Sequence, residues 1–482
     1  MAQHDYDIAI LGGGAAGLTI AAGAAQAGAK TLIIEKESKL GGDCLHYGCV
    51  PSKTLIRTAR VRHLIKNAQN FGLPGIDLKR PDFRDIAGRI RSVINIIQKH
   101  DSEERFCSLG AKVEFGQATF IDDHSVSLNG KEVSARNWVI ATGSSAAIPP
   151  IEGLNQTPYI TNREVFSLER LPDSMVIVGG GPIGIELAQA FTRLGTKITV
   201  IEFLPQILNA DDQDMTNVIL EILKSEGVEV HLNSAVQSVR NLGNEREVTF
   251  KSGEEIKNIR TEAILIATGR KVNLEGLGLE GIGVSFDRRG LKLSPRLRTT
   301  LPHIYGAGDV TGVYQFTHAA GYEGGIVLSN AIFRFPRKVD YGYLPWVTYT
   351  DPELACIGMN EKMAKAQRIR YKVWSEPFES NDRSLAEGET VGKIKMLLDE
   401  KEKPIGIQIL GPHAGDLLSE WVAIMNGNVK LSTIASAVHP YPTLGEINKR
   451  VAGNFLATKI FSDRVKKTLR LFFNLKGRAC GE

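Results

Sequence analysis

The most chemically capable residues in this sequence are two cysteines with four residues between them. Cys44 and Cys49 stand in Gly41-Gly42-Asp43-Cys44-Leu45-His46-Tyr47-Gly48-Cys49-Val50-Pro51-Ser52-Lys53. Zinc takes cysteines in pairs, but no second Cys or His pair with ligand spacing completes such a site. A dithiol that exchanges electrons is the better reading, because a thiolate near a helix N-terminus is stabilised and attacks disulfides readily. Lys53 lies four residues beyond Cys49, one helical turn away, where its ammonium stabilises nearby negative charge.

Such a pair needs a framework and a source of electrons. A buried strand over residues 7–11 runs into Gly12-Gly13-Gly14-Ala15-Ala16-Gly17, which opens an alanine-rich helix, and a second strand over 30–34 is followed by Glu35. The unit recurs as a strand over 174–178, Gly179-Gly180-Gly181-Pro182-Ile183-Gly184, a helix to Leu194, a strand over 197–201 and Glu202. One such turn is weak evidence, but strand, glycine turn, helix and acid about 20 residues on form the dinucleotide-binding context. The turns (Gly12, Gly14, Gly17; Gly179, Gly181, Gly184) admit a pyrophosphate to a helix N-terminus, while Glu35 and Glu202 accept from ribose hydroxyls. Ala141-Thr142-Gly143-Ser144 and Ala267-Thr268-Gly269-Arg270 echo each other behind the two units. Lys36, Gly42, Lys53, Thr142, Gly143, Gly269 and Arg270 join the cofactor-contacting set. After Glu202, residues 203–206 supply no arginine for a 2'-phosphate, which favours NAD(H) over NADP(H). A dithiol held against a flavin, one sulfur on the ring and one exchanging with substrate, accounts for Cys44 and Cys49 together.

Composition sets the outer limits. A chain of 482 residues exceeds one core and divides into units of ~100–200 residues. Fifty-eight basic against 54 acidic residues leave no one-sign field for nucleic acid. Five cysteines are few and odd in number, against a secreted disulfide scaffold and for a reducing, cytoplasmic setting. The apolar start of the chain runs directly into Gly12, without the layout of a signal peptide, and no apolar run nears the ~20 residues of a membrane span. Cys107 and Cys356 sit in apolar surroundings and are expected in the core.

With these motifs in view, the chain resembles the class I pyridine nucleotide-disulfide oxidoreductases, close to dihydrolipoamide dehydrogenases and mercuric reductases. The resemblance extends to Thr300-Leu301-Pro302-His303-Ile304-Tyr305-Gly306-Ala307-Gly308-Asp309, similar to the family's second FAD motif, and to Phe316-Thr317-His318-Ala319-Ala320, placed there beside the flavin pyrimidine edge. It implies that Gly308 and Asp309 meet the ribityl chain, and that Thr317 and His318 meet the ring. It also implies that Cys44 is the interchange thiol, Cys49 the charge-transfer thiol and Glu186 the partner of Lys53. Val347-Thr348-Tyr349-Thr350-Asp351-Pro352-Glu353 resembles the start of the interface domain, implying a homodimer whose site uses both subunits.

The sequence departs from the disulfide reductases at His439-Pro440-Tyr441-Pro442-Thr443-Leu444-Gly445-Glu446. Tyr441 stands where those enzymes carry a histidine before Pro-Thr, with Glu446 four residues after the proline. An unperturbed tyrosine near pKa ~10 is a poor base beside a histidine near ~6.5. His439, two residues earlier, falls elsewhere along an extended segment. Mercuric reductases resemble this chain in carrying tyrosine there, but they end in two adjacent cysteines, whereas Cys480 stands alone.

The expected fold is α/β, with two Rossmann-like dinucleotide-binding domains and a C-terminal α+β dimerisation domain. Its segments are residues 1–150 (FAD), 151–273 (NAD(P)), 274–345 (FAD, continued) and 346–482 (interface). The expected function is electron transfer from NAD(P)H through FAD to Cys44 and Cys49 and on to a small disulfide or thiol-bound metal ion. The role is mercuric-reductase-like, with lipoamide chemistry as the alternative, and without a resident metal. Rival classes are a flavoprotein redox sensor without turnover and an oxygen-using NADH oxidase, whose activity survives loss of Cys44. The tail over 461–476 alternates Arg464, Lys466, Lys467 and Arg470 with Val465, Leu469, Leu471, Phe472 and Phe473. A helix packed on the dimer with a solvated basic face is expected there, rather than one in contact with a membrane.

Overall fold

The computed structural model describes residues 4–477, 479 and 480. They form two compact units, Met1–Leu208 with Ile222–Asp340, and Asn209–Glu221 with Tyr341–Glu482.

In the first unit, strand Tyr6–Leu11 pairs in parallel with Thr31–Glu35 on one side and Lys131–Ile140 on the other. Ala111–Phe115 extends the sheet beyond Thr31–Glu35, and Ile304–Gly306 pairs in parallel with Lys131–Ile140. Both faces are covered, as parallel sheets require. Ile8 and Ile10 pack with Ile20, Ala24 and Phe106 on one face, while Ala9 and Leu11 pack with Trp138 and Ile304 on the other. The second strand runs one residue later than expected, so Glu35 ends it, in register with Phe115.

The duplication read from the sequence is present in three dimensions. Strand Ser174–Val178 lies between Lys197–Ile201 and Ala263–Ile266, all parallel, with Glu229–His231 outside. Helix Pro182–Leu194 starts with proline at N1, where a missing N–H costs nothing, and ends at Gly195 in the left-handed region.

The second unit is built on antiparallel pairs in the order Pro345–Thr348, Glu353–Gly358, Pro404–Gly411, Lys393–Leu398, Lys372–Pro377. Helices Ala414–Asn426 and Glu446–Ile460 bury Trp421, Val451 and Phe455 against its Ile394, Met396 and Ile407. The sheet of this α+β unit is antiparallel and covers a core of its own. Among the described residues no helix is long and apolar enough to cross a membrane.

Candidate functional site

The two glycine turns are superimposable in their contacts. Gly12 has φ +110°, and a Cβ there would lie 2.2 Å from Ala141 O; Gly179 has φ +114° and a Cβ 2.4 Å from Ala267 O. Only glycine fits, because the turn is left-handed and the neighbouring strand end passes beside it. Glu35 Oε2 accepts from Gly13 N at 2.7 Å and Oε1 from Glu37 N at 2.8 Å. Glu202 likewise accepts from Gly180 N and, at 2.7 Å, from Leu204 N. Each carboxylate therefore clamps its own turn, and each oxygen keeps a second lone pair for a ribose hydroxyl.

The space before the helices fits a dinucleotide. Gly14 and Gly181 occupy the N-cap positions. A Cβ added at Gly14 meets only Gly42 Cα, at 3.9 Å, and one added at Gly181, Gly143 or Gly269 meets nothing within 4 Å. The helix-start N–H groups, which lack intrahelical partners, open onto room for a phosphate. Gly42 closes on Gly14, where its own Cβ would come within 2.8 Å. Thr142 Oγ1 donates to Asn273 O at 2.6 Å, so it braces the strand end. Lys36 is exposed.

Cys44 sits in the short helix Gly42–His46, and Cys49 is the first residue of helix Cys49–Lys66. Both are free thiols, Cys49 the more exposed. The Cys44 thiol donates to Cys49, and with Lys53 this lowers the Cys49 pKa to about 6, against the opposing effect of burial. Cys44 is pushed far above the ordinary thiol range by that same hydrogen bond and by burial. The asymmetry makes Cys49 the thiolate and Cys44 the protonated partner. Thr317 Oγ1 lies 3.7 Å from Cys49 Sγ at the start of helix Thr317–Ala331, and the His318 ring stacks on Phe316 at 5.4 Å.

Lys53 Nζ lies 2.8 Å from Glu186 Oε2; Glu186 is 6 % exposed and Lys53 32 %. This pair joins the cysteine helix to the helix that starts at the second glycine turn. The predicted Lys53–Glu186 partnership is thus present.

Asp43, next to Cys44 in the chain, belongs to a network the sequence did not announce. Arg270 Nη2 reaches Asp43 Oδ2 at 3.0 Å, its Nε donates to Ser144 Oγ at 2.7 Å, and it faces Asp309 Oδ2 at 3.6 Å. Ser144 Oγ donates to Asp309, whose carboxyl burial pushes up despite Ser144 and Arg270. Buried Glu323 accepts from Gly308 N at 2.6 Å and holds the Asp309 turn. Ser144 and Asp43 lie inside motifs already singled out, and only the fold shows that they share one arginine.

Tyr441 and Glu446 lie in the second unit. Tyr441 Oη donates to Asp382 Oδ2 at 3.0 Å, and that bond raises its pKa. The phenol keeps its proton and is no general base near neutrality. Glu446 begins helix Glu446–Ile460. His439, set aside on spacing, faces Glu420 Oε1 at 3.1 Å, and Asn448 Nδ2 donates to Glu420 Oε2 at 2.8 Å while Trp421 Nε1 donates to Asn448 Oδ1. It is an oriented imidazole that spacing alone could not reveal.

The expectation for Cys107 is corrected: it is exposed, because it falls on the outer side of the short helix Glu103–Ser108, which buries Phe106. Cys356 is buried as expected and lies 3.3 Å from Asp211 Oδ1. Among the described residues, two groups come within metal-ligating distance. In Asp123, His124 and His303 the two rings stack at 4.0 Å and 13°, so their lone pairs run side by side instead of converging. In Asp212, Asp214 and Glu361 the Lys395 ammonium already occupies the centre, at 2.7, 2.7 and 3.2 Å.

Comparison with known proteins agrees with this geometry. Residues 6–324 match the family model for pyridine nucleotide-disulphide oxidoreductases, and residues 344–452 match that family's dimerisation domain. The chain is 34 % identical to a dihydrolipoyl dehydrogenase of Bacillus subtilis, over 91 % of this chain and 96 % of that one. It is 31 % identical to a mercuric reductase of Staphylococcus aureus, over 94 % and 82 %. Among solved structures, the HOCl-induced flavoprotein disulfide reductase RclA of Escherichia coli, as its Cu(II) complex, aligns with a TM-score of 0.84 at 27 % identity, covering 94 % of this chain and all of the other.

Proposed function

The chain belongs to the FAD-dependent pyridine nucleotide-disulphide oxidoreductases, and from that premise we propose that it reduces a thiol-bound metal ion of the mercuric class, with NADH as electron donor. FAD, when bound, supplies the two-electron relay between the nicotinamide and the cysteine pair. Gly12, Gly14, Gly17, Glu35 and Asp309 would hold it, and Gly179, Gly181, Gly184 and Glu202 would hold the pyridine nucleotide. The chain's own residues do the rest. Lys53, oriented by Glu186, keeps Cys49 as a thiolate, and Cys44 keeps its proton until it engages the acceptor. Delivery of two electrons to the ion re-forms the Cys44–Cys49 bond and frees the ion's two thiolate ligands, one of which leaves with the Cys44 proton.

The observation that carries this choice of acceptor is Tyr441: its proton is held by Asp382, and reduction of a thiol-bound ion needs no base to move protons on and off a substrate sulfur. The dimerisation-domain match supports a homodimer, in which Tyr441 and Glu446 of one subunit would complete the site of the other. NADH is preferred because Glu202 repels a 2'-phosphate and residues 203–206 bring no arginine to it. A reducing cytoplasm is the proposed setting, since it keeps thiols in exchange. One observation favours a second reading: His439, oriented by Glu420, is a candidate proton carrier for dihydrolipoamide chemistry.

The deciding experiment follows NADH oxidation with mercuric ion in excess thiol, oxidised lipoamide or oxygen alone, by the native protein and Cys44→Ser. Cys44-dependent turnover with mercury and little with lipoamide is expected. Rapid lipoamide turnover that His439→Gln abolishes establishes the second reading instead. Oxygen consumption that persists in Cys44→Ser identifies an oxidase, and the absence of turnover with every acceptor identifies a sensor.

A further inference from the structure

Helix Asp463–Phe473 differs from every other long helix described here in having no buried residue. It lies beyond residue 452, where the match to the dimerisation domain ends. Val465, Leu469 and Phe472 are spaced i, i+4, i+7 and share one face, which Phe473 widens; exposed Phe461 lies just before the helix. Arg464, Lys466, Lys467 and Arg470 occupy the remaining arc together with exposed Leu471, against the single acid Asp463, and Lys476 follows. Phe472 is 74 % exposed, Phe473 69 % and Phe461 63 %.

We propose that this helix docks the enzyme on the surface of an anionic lipid bilayer, lying in the headgroup plane with Val465, Leu469 and Phe472 turned into the acyl boundary. Charge chooses the occupant. The apolar face is flanked by cations, which meet lipid phosphates at the depth that buries the phenylalanines. A second copy of the helix would bring like charges to both flanks and only Asp463 to offset them. Eleven residues span about 16 Å, too short to cross a bilayer and long enough to lie on one. A homodimer presents two such helices, so the second docks at high effective concentration once the first has bound.

The test is cosedimentation of the full-length, FAD-loaded protein with vesicles of phosphatidylcholine alone and of phosphatidylcholine mixed equally with phosphatidylglycerol. Binding to the mixed vesicles, weakened by salt, is expected. At about 1 kcal/mol per cation, Lys466→Glu, Lys467→Glu and Arg470→Glu together should lower that partitioning by roughly 100-fold or more. Leu469→Ser with Phe472→Ser should abolish it, with NADH oxidation in solution unchanged in both variants, which shows that they fold. Equal binding by native protein and variants overturns the proposal. So does failure of the native protein to bind, together with dissociation of the dimer in the Leu469→Ser, Phe472→Ser variant, which would assign the face to a second copy.

Discussion

Lys395 and Lys53 each pair with carboxylate, and they have opposite designs. Lys395 in the second unit is 1 % exposed and meets Asp212, Asp214 and Glu361, while Gln408 also donates to Asp212. Burial alone would raise the Asp212 carboxyl, yet Lys395 and Gln408 outweigh it and leave the pKa lowered; Lys395 itself ends raised, because its acids overcome burial. Lys53 in the first unit is a third exposed and donates to buried Glu186 and to Ser52 Oγ, one turn from a thiolate. The first lysine is satisfied on all sides and holds structure. The second is held by Glu186 and Ser52 and, part-exposed, directs its field at the sulfur. A buried cation enclosed by carboxylates gives rigidity, whereas a part-exposed one beside a thiolate acts on a group that changes its redox state.

The difference can be broken most sharply at Lys395. Lys395→Met leaves three carboxylates crowded without a cation and should cost about 3–5 kcal/mol in chemical denaturation. Lys53→Met takes the part-exposed cation away from buried Glu186 and should cost about 1–3 kcal/mol. Its larger effect is on chemistry, a fall in turnover of roughly 100-fold with the Cys49 ionisation moved upward, measured by stopped-flow and by the pH dependence of iodoacetamide alkylation. Equal stability losses in the two variants would erase the distinction.

The pH responses separate the regions next. In the reduced protein the Cys49 pKa is depressed to about 6. Stabilisation by its thiolate is therefore present above the unfolded thiol value near ~8.5 and is lost as pH falls through about 6. Alkylation at Cys49 should slow over the same range. Asp212 and Asp214 also have lowered values, so their contribution is present above ~3.9 and disappears only in more acidic solution. Circular dichroism should thus show the Lys395 region intact at pH 5, where the thiolate is gone. The smallest effect is expected at Cys107: being exposed, Cys107→Ser should change stability by no more than about 0.5 kcal/mol and leave turnover unchanged.

Local sequence determined the dinucleotide-binding framework, because its signals are short-range. A buried strand, a left-handed glycine and an acid at the next strand end recur with one spacing, and Lys53 is one turn from Cys49 in any helix that starts there. The pairing of Lys53 with Glu186, 133 residues away, came from family resemblance and not from spacing. The tertiary structure alone decided which groups meet across long separations. It gave Ser144, Asp43 and Asp309 to one arginine, gave Glu323 to the turn before Asp309, and gave His439 an acid while fastening Tyr441 to Asp382. It also placed Cys107 outside, since in a helix as short as Glu103–Ser108 the side facing the core follows from the packing of Phe106 and not from composition. Backbone conformation is chosen by neighbours in the chain. Side-chain charge and proton position are set by neighbours in space, and those the linear sequence does not contain.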